Sequence, residues 1–263
     1  MQHPEPLDYL PLWALVPATA ALVYGAIEIG YALGKFRRRA IEVEKDNAVG
    51  PVVGAMLGLL AFMLAFTFGL AATRFDARRQ IVVDEANAIG TTHLRAGLLP
   101  DPYPAELRKL LEEYVRGRVE AIESGDIDRA MSAAVAMHET LWARAEQVAA
   151  EDRHSIATGL FIESLNETID LHSKRVLIGV RSRIPVVVWL VLYLIAFLAM
   201  AQIGYQAGLA ASPRSLAGVT FVLAFSVVIS LIADLDRPHE GLISVSQEAI
   251  HDLQDSWSKS PSH

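Results

Sequence analysis

Cysteine is absent from the 263 residues, which excludes a disulfide framework, a thiolate metal site and thiol redox chemistry. Positive charge is also scarce, with 23 Lys and Arg against 30 Asp and Glu, a net charge of −7. We therefore expect no nucleic-acid partner, because such partners select basic surfaces. Hydrophobic residues make up 52% of the chain, too many for an intrinsically disordered protein.

Catalytic and cofactor-binding motifs are also absent from the sequence. It contains no GxSxG, Walker A or GxGxxG pattern, and its eight histidines include neither HExxH nor a pair four residues apart. We therefore predict that the protein is not an enzyme and that it holds no cofactor and no metal.

The apolar residues are concentrated in four long stretches. Residues 9–27, 47–73, 184–213 and 215–233 contain no charged side chain. Because about 20 apolar residues cross a hydrocarbon core about 30 Å thick, we predict an all-α polytopic membrane protein. Its four transmembrane helices are placed at about residues 10–34, 48–73, 185–206 and 215–233. The first is read as a retained span, because its basic cluster follows it, whereas a signal peptide begins with basic residues.

A long polar segment separates the second and third spans. Residues 74–183 carry 15 Lys and Arg and 18 Asp and Glu, and apolar residues recur there at helical spacing. The second span is predicted to continue as one helix into water, with breaks at Gly90 and at residues 100–104. The sequence Ser124-Gly125-Asp126 is predicted to end one helix and cap the next. The predicted domains are a first helix pair in residues 1–73, a helical extramembrane domain in 74–183, a second helix pair in 184–233 and a C-terminal tail in 234–263.

The second span carries two distinctive stripes. At about 100° per residue, its small side chains fall within an arc of about 80° and form a face typical of close helix packing in lipid: Gly54, Gly58, Ala61, Ala65 and Gly69. Beside this face lies a stripe of large apolar side chains, Leu59, Phe62, Phe66 and Leu70. Two interpretations are open: lipid contact or packing on another span, or a hydrophobic pore constriction that gates by dewetting.

Charged residues near the spans also have two interpretations. The arginines after the second span are either headgroup contacts or the charged wall of a pore mouth: Arg74, Arg78 and Arg79. Glu28 is the only ionisable residue well inside a span, and it is either a functional group within the membrane or, about two turns from Lys35, an interfacial side chain. Asp234 and Asp236 follow the fourth span and are too few for a calcium cage, so we expect them to cap that span and pair with Arg237.

Three segments are similar to the signature blocks of a bacterial family of bestrophin-like membrane proteins, a domain of unknown function. They are GLLAFMLAFTFGLAATRFDARRQIVVDEANAIGTT, FIESLNETIDLHSKR and IADLDRPHEGLISVSQEAI, and the similarity extends over about residues 45–253. The family is distantly similar to the bestrophins, which are pentameric anion channels with four spans and a helical cytosolic region between the second and third. In bestrophins the second span lines the pore, and Phe62, Phe66 and Leu70 resemble their pore neck.

The resemblance implies a homo-oligomer, with a pentamer favoured, that lies in the lipid bilayer of the bacterial plasma membrane and conducts small inorganic anions such as chloride. It places both termini and the helical domain in the cytoplasm, whereas the basic density of residues 35–39 favours the reverse orientation. It does not extend to the acidic calcium clasp of some bestrophins, because Asp234 and Asp236 lack the accompanying run of acids.

Two other functions remain open at this point. The protein is alternatively a non-conducting membrane scaffold or sensor whose helical domain binds a partner protein. It is alternatively a proton-coupled motor-type subunit, which requires an essential membrane carboxylate, and Glu28 is the candidate.

Overall fold

The computed structural model describes residues 11–40, 49–181, 183–212, 216–237 and 242–259. It is 88% helical, with no strand in those ranges. The eight helices are α1 (Leu12–Ala40), α2 (Val49–Ala96), α3 (Tyr103–Ser124), α4 (Ile127–Glu151), α5 (Ile156–Val176), α6 (Val186–Leu209), α7 (Leu216–Asp236) and α8 (Glu248–Ser258). A π-helical turn, Leu177–Arg181, follows α5.

Four of these helices are long and apolar enough to cross a membrane: α1, α2, α6 and α7. The predicted all-α fold with four spans is therefore confirmed. In α2 the charge-free part ends at Thr73, and the charged remainder from Arg74 is too polar for the hydrocarbon core.

The chain divides into two compact units. The first, called the span unit, comprises Met1–Phe75 and Arg183–Ser244, and the second, called the helical unit, comprises Asp76–Ser182 and Val245–His263. Helix α2 contributes residues to both. The predicted C-terminal tail is divided between the units at residue 244, and α8 belongs to the helical unit.

The span unit is closed around a core shared by α1, α2, α6 and α7. Its largest fully buried side chains are apolar: Leu15, Leu60, Ile184, Leu192, Met200 and Ile229. Pro185 directly precedes α6, as predicted, because its ring presets the backbone for the first turn. A polar contact joins α1 to α6 inside this core, where the hydroxyls of Thr19 and Tyr193 lie 2.9 Å apart.

The closest helix approach in the span unit is between α1 and α6. Each helix carries two glycines four residues apart, Gly30 and Gly34 on α1 and Gly204 and Gly208 on α6. A Cβ atom on Gly30 would overlap the carbonyl oxygen of Ala201, and the other three glycines meet backbone atoms of the facing helix in the same way. The missing side chains let the two backbones touch, as in other small-residue contacts between membrane helices. Sequence analysis did not identify this pair.

Capping residues set the helix ends in the helical unit. Gly125 ends α3 in the left-handed conformation, with φ of 71°, which glycine adopts at little cost. The Asp126 side chain then accepts a hydrogen bond from the Arg129 amide at 3.1 Å and caps α4. The predicted stop and cap at residues 124–126 are thus confirmed.

Helix α2 does not break at Gly90, so that prediction is wrong. The helix continues to Ala96 because one glycine weakens a helix by only about 1 kcal/mol, and tertiary packing outweighs that cost. Ile89 is fully buried beside it. The space left by the missing side chain is used by α8, since a Cβ at Gly90 would lie 3.3 Å from Cδ1 of Leu253.

Candidate functional site

Within the span unit, α2 has one buried face and one uncovered face. The buried face carries Val53, Leu60, Thr67 and Ala71. The opposite face carries the predicted packing residues, all of them exposed: Gly54, Gly58, Ala61, Ala65 and Gly69. In the described part of the chain nothing lies within 4 Å of a Cβ built on Gly54, Gly58 or Gly69. The small-residue face is therefore not packed within one chain.

The predicted constriction stripe is also largely uncovered. Phe62 is 66% exposed and Phe66 51% exposed, Leu59 is exposed as well, and Leu70 is half-buried. These phenylalanines are therefore not core residues of their own chain. They are available to lipid, to a second chain or to a pore.

The three predicted mouth arginines lie in different environments. Arg79 is exposed, Arg74 is half-buried and Arg78 is 4% exposed. Arg78 is buried because helical spacing puts it on the same face of α2 as Val82 and Glu85, and that face is turned into the helical unit. Of the three arginines, Arg79 alone is fully presented to water, and their assignment to headgroup contacts or to a pore mouth stays a prediction.

Asp234 and Asp236 bind backbone amides around the fourth span. Asp234 accepts hydrogen bonds from the amides of Leu242 at 2.9 Å and Ile243 at 3.1 Å. Asp236 accepts from the Ile184 amide at 2.9 Å. The two carboxylates therefore hold the segment after α7 and the segment before α6 in place. The sequence analysis expected them to cap the fourth span and did not predict these contacts. Donors pointing at these oxygens oppose a cation there, and no metal-binding group of three acidic or histidine side chains occurs among the described residues.

Replacing Asp234 by alanine is expected to loosen the segment after α7, because two partly buried amides lose their acceptor. Each unsatisfied group costs about 1–3 kcal/mol. Limited proteolysis of the full chain in detergent should show faster cleavage after residue 236 in Asp234→Ala than in Asp234→Asn, whose amide oxygen still accepts one bond. Equal cleavage rates in the two variants would contradict the role given to these bonds.

Glu28, the carboxylate inside the first span, is half-buried on α1. It is one residue beyond Ile27, whose carbonyl oxygen faces Gly204. Glu28 therefore lies beside the contact between α1 and α6.

A buried polar cluster lies inside the helical unit and was missed by sequence analysis. At its centre is Glu85, whose side chain is fully buried. Its carboxylate is 3.1 Å from Nη2 of Arg118, 2.9 Å from Nε of Arg175 and 3.6 Å from Nδ1 of His172. The Tyr114 hydroxyl donates to Glu85 at 3.3 Å and lies 3.2 Å from Nδ1 of His172. Helices α2, α3 and α5 are thus joined through one carboxylate.

The surroundings of Glu85 keep it ionised. Burial by itself raises the pKa of the carboxyl group, but the contact with His172 and the charges of Arg118 and Arg175 outweigh it and lower the pKa to about 2. Burial and the adjacent carboxylate raise the pKa of Tyr114 far above its usual range, so its hydroxyl stays protonated as a donor. The sequence contains a signal for this cluster. Glu85 on α2 and Arg118 on α3 each lie at a position where helical spacing would otherwise place an apolar side chain.

A second contact fastens α8 to the helical unit. The rings of His93 on α2 and Trp257 on α8 are stacked, with centroids 4.3 Å apart. His93 also lies 3.3 Å from the Glu112 carboxylate of α3. Burial lowers the pKa of His93, while Glu112 opposes that shift.

Four apolar spanning helices, with a charged helical segment between the second and third, define a polytopic helical membrane protein. A family model of the bestrophin-like domain matches residues 20–250, so the chain belongs to the bestrophin-like family. Comparison with the curated proteins and with the solved structures finds no match.

Proposed function

We propose that the protein is a homo-oligomeric channel for small anions such as chloride, with the second transmembrane helix lining the pore, rather than an enzyme. The observation that carries the proposal is the uncovered face of α2. Small residues and the Phe62–Phe66 stripe lie side by side there, while the opposite face of the same helix packs into the span unit.

A second copy of the chain is the natural partner for the small-residue face. Lipid tails cover large apolar side chains as well as a protein does, so a long row of glycine and alanine offers them little contact. The same row lets another helix approach closely. If copies of α2 pack through this face around an axis, the adjacent stripe of Leu59, Phe62, Phe66 and Leu70 is turned towards that axis. A pentamer, as in bestrophins, is the assembly we propose.

A ring of these side chains would form an apolar constriction, which passes ions only when it is wetted. Arg79, and in part Arg74, would supply positive charge at the end of the span. Positive charge at a pore entrance raises the local concentration of anions.

Replacing Phe62 and Phe66 together by alanine is expected to raise chloride flux through the protein in liposomes by about tenfold or more, since a narrow dewetted neck is widened. Flux is followed with a chloride-sensitive dye after a concentration jump. The matched control is Phe68→Ala, an exposed phenylalanine on the same helix about 120° from Phe62. It should leave the flux unchanged.

Two outcomes of this experiment would count against the channel. One is the absence of halide flux from intact, monodisperse oligomers. The other is an equal effect of Phe68→Ala, which would mean that the stripe acts through lipid contact and not through a pore.

We place the protein in the bacterial plasma membrane with both termini and the helical unit in the cytoplasm, and reporter fusions at the C-terminus test that orientation.

One observation favours the scaffold as a second candidate. At one end of the helical unit, Arg95 of α2 donates to the Leu160 carbonyl of α5 at 2.7 Å and so holds the ends of both helices together. The apolar side chains around this contact are exposed, Leu94 at 70% and Ile156 at 80%. A scaffold would use this surface to bind a partner protein. Two results together would favour the scaffold over the channel: the absence of chloride flux, and the loss of a co-purifying complex in Leu94→Ser.

A further inference from the structure

His138 is the point at which α4 contacts the polar cluster of the helical unit. Helix α4 turns a buried apolar stripe towards the core, with Ala134 and Leu141 on either side of His138. The His138 ring is buried, and its centroid lies 5.0 Å from the ring of Tyr114 and 4.8 Å from the ring of His172.

The charges that face His138 come from three helices. Glu85 faces it from α2, Tyr114 and Arg118 from α3, and His172 and Arg175 from α5. With a neutral phenol, the side chains of Glu85, Arg118 and Arg175 give the cluster one carboxylate and two guanidinium groups. These three side chains together carry a net charge of +1.

One ring nitrogen of His138 has no acceptor for a proton in the part of the chain that the structure describes. Its Nε2 atom is buried and has no hydrogen-bond partner in the described ranges. The Glu85 carboxylate is occupied by the arginines, Tyr114 and His172. A protonated His138 would therefore be a further cation beside the buried Arg118 and the partly buried Arg175, with no anion of its own, which proteins tolerate poorly.

We propose that His138, against His172, is an acid-sensitive contact that releases α4 from α3 and α5 when it takes up a proton. The inference is independent of the channel proposed above. The contact is closed at neutral pH because the His138 ring fits the apolar stripe of α4 only while it is uncharged. It opens in acid because the released imidazolium is solvated by water.

The pH range follows from the two states of His138. When it is released, its pKa returns to about 6.5, whereas burial and the nearby cations lower the pKa of the packed residue to about 4. The released state therefore binds more protons between these values, and the opening constant of α4 rises about five- to sevenfold for each pH unit between 6.5 and 4.5. Glu85 contributes only below its unfolded value of 4.5.

Hydrogen exchange of the full chain in detergent tests the proposal. Exchange of the α4 amides is measured by mass spectrometry between pH 7.5 and 5, with each rate divided by the intrinsic rate at that pH. In the wild type, protection of α4 is expected to fall about 15-fold between pH 6.5 and 5, while α6 in the span unit keeps its protection. His138→Gln, which takes up no proton, should flatten this profile.

His154→Gln is the matched control, because His154 is exposed in the loop after α4. It should retain the wild-type pH profile. An α4 protection that is independent of pH in the wild type overturns the proposal even if His138→Gln fails to fold. A pH dependence that persists in a folded His138→Gln, or that disappears in His154→Gln, overturns it equally.

Discussion

Gly204→Leu is expected to prevent the span unit from folding. A Cβ at this position would overlap the carbonyl oxygen of Ile27, and backbone cannot move aside as the end of a flexible side chain can. Overpacking of a core costs about 1–3 kcal/mol when side chains adjust. Here α1 and α6 must separate along their whole contact. We therefore expect the free energy of unfolding to fall by at least about 3 kcal/mol, which is the upper end of that range. The full chain should aggregate or elute as a broad peak from a gel-filtration column in detergent.

Gly25→Ala is the matched control for this substitution. Gly25 lies on α1, the other helix of this contact, but nothing in the described structure lies within 4 Å of a Cβ built there. Alanine is favoured over glycine in a helix interior by about 1 kcal/mol, so this variant should be as stable as the wild type or slightly more stable. A monodisperse Gly204→Leu protein with an unchanged melting temperature would show that α1 and α6 do not meet through their glycines.

The sequence predicts the spans well because their signal is local. Crossing a bilayer requires a run of apolar residues, and the charge-free run of residues 184–213 contains α6 almost entirely. The turn at Gly125 is equally local, since glycine and the aspartate after it act on their own helices. Gly90 carries the same local signal as Gly125, but its place in the helix is decided by the packing of Ile89 and Leu253, which a local pattern does not contain.

Contacts between residues that are distant in the sequence are the part of the structure that could not be predicted. Gly30 and Gly204 are separated by more than half of the chain, and nothing in either glycine pair alone shows that the pairs face each other. Glu85 likewise meets Arg118 and Arg175 only after three helices have packed. The row of small residues on α2 was visible in the sequence, but the structure shows that it remains uncovered, which is what makes it the candidate surface for oligomerisation.

Glu85→Gln is expected to destabilise the helical unit by about 3–5 kcal/mol. The substitution leaves the shape of the cluster nearly unchanged but removes the only carboxylate in the described ranges that contacts the buried Arg118 and the partly buried Arg175. Breaking a buried ion pair from one side is costly because the remaining charge is held away from water without compensation. Thermal unfolding of the full chain in detergent at pH 7.5 should show the loss as a lower melting temperature and earlier proteolysis between residues 76 and 182.

Asp84→Asn provides the comparison at the neighbouring position. The Asp84 carboxylate accepts an exposed hydrogen bond from Gln80 at 2.8 Å, so this variant should stay within about 0.5 kcal/mol of the wild type.

The pH dependence of the stability of Glu85→Gln separates the effect of a lost charge from that of a general packing defect. Because the folded pKa of Glu85 is lowered to about 2 from 4.5, its stabilisation is fully present above 4.5 and is lost as the pH falls towards 2. The difference in the free energy of unfolding between the wild type and Glu85→Gln should therefore become smaller as the pH falls over that interval. A difference that is independent of pH would mean that the substitution acts through the shape of the side chain and not through its charge.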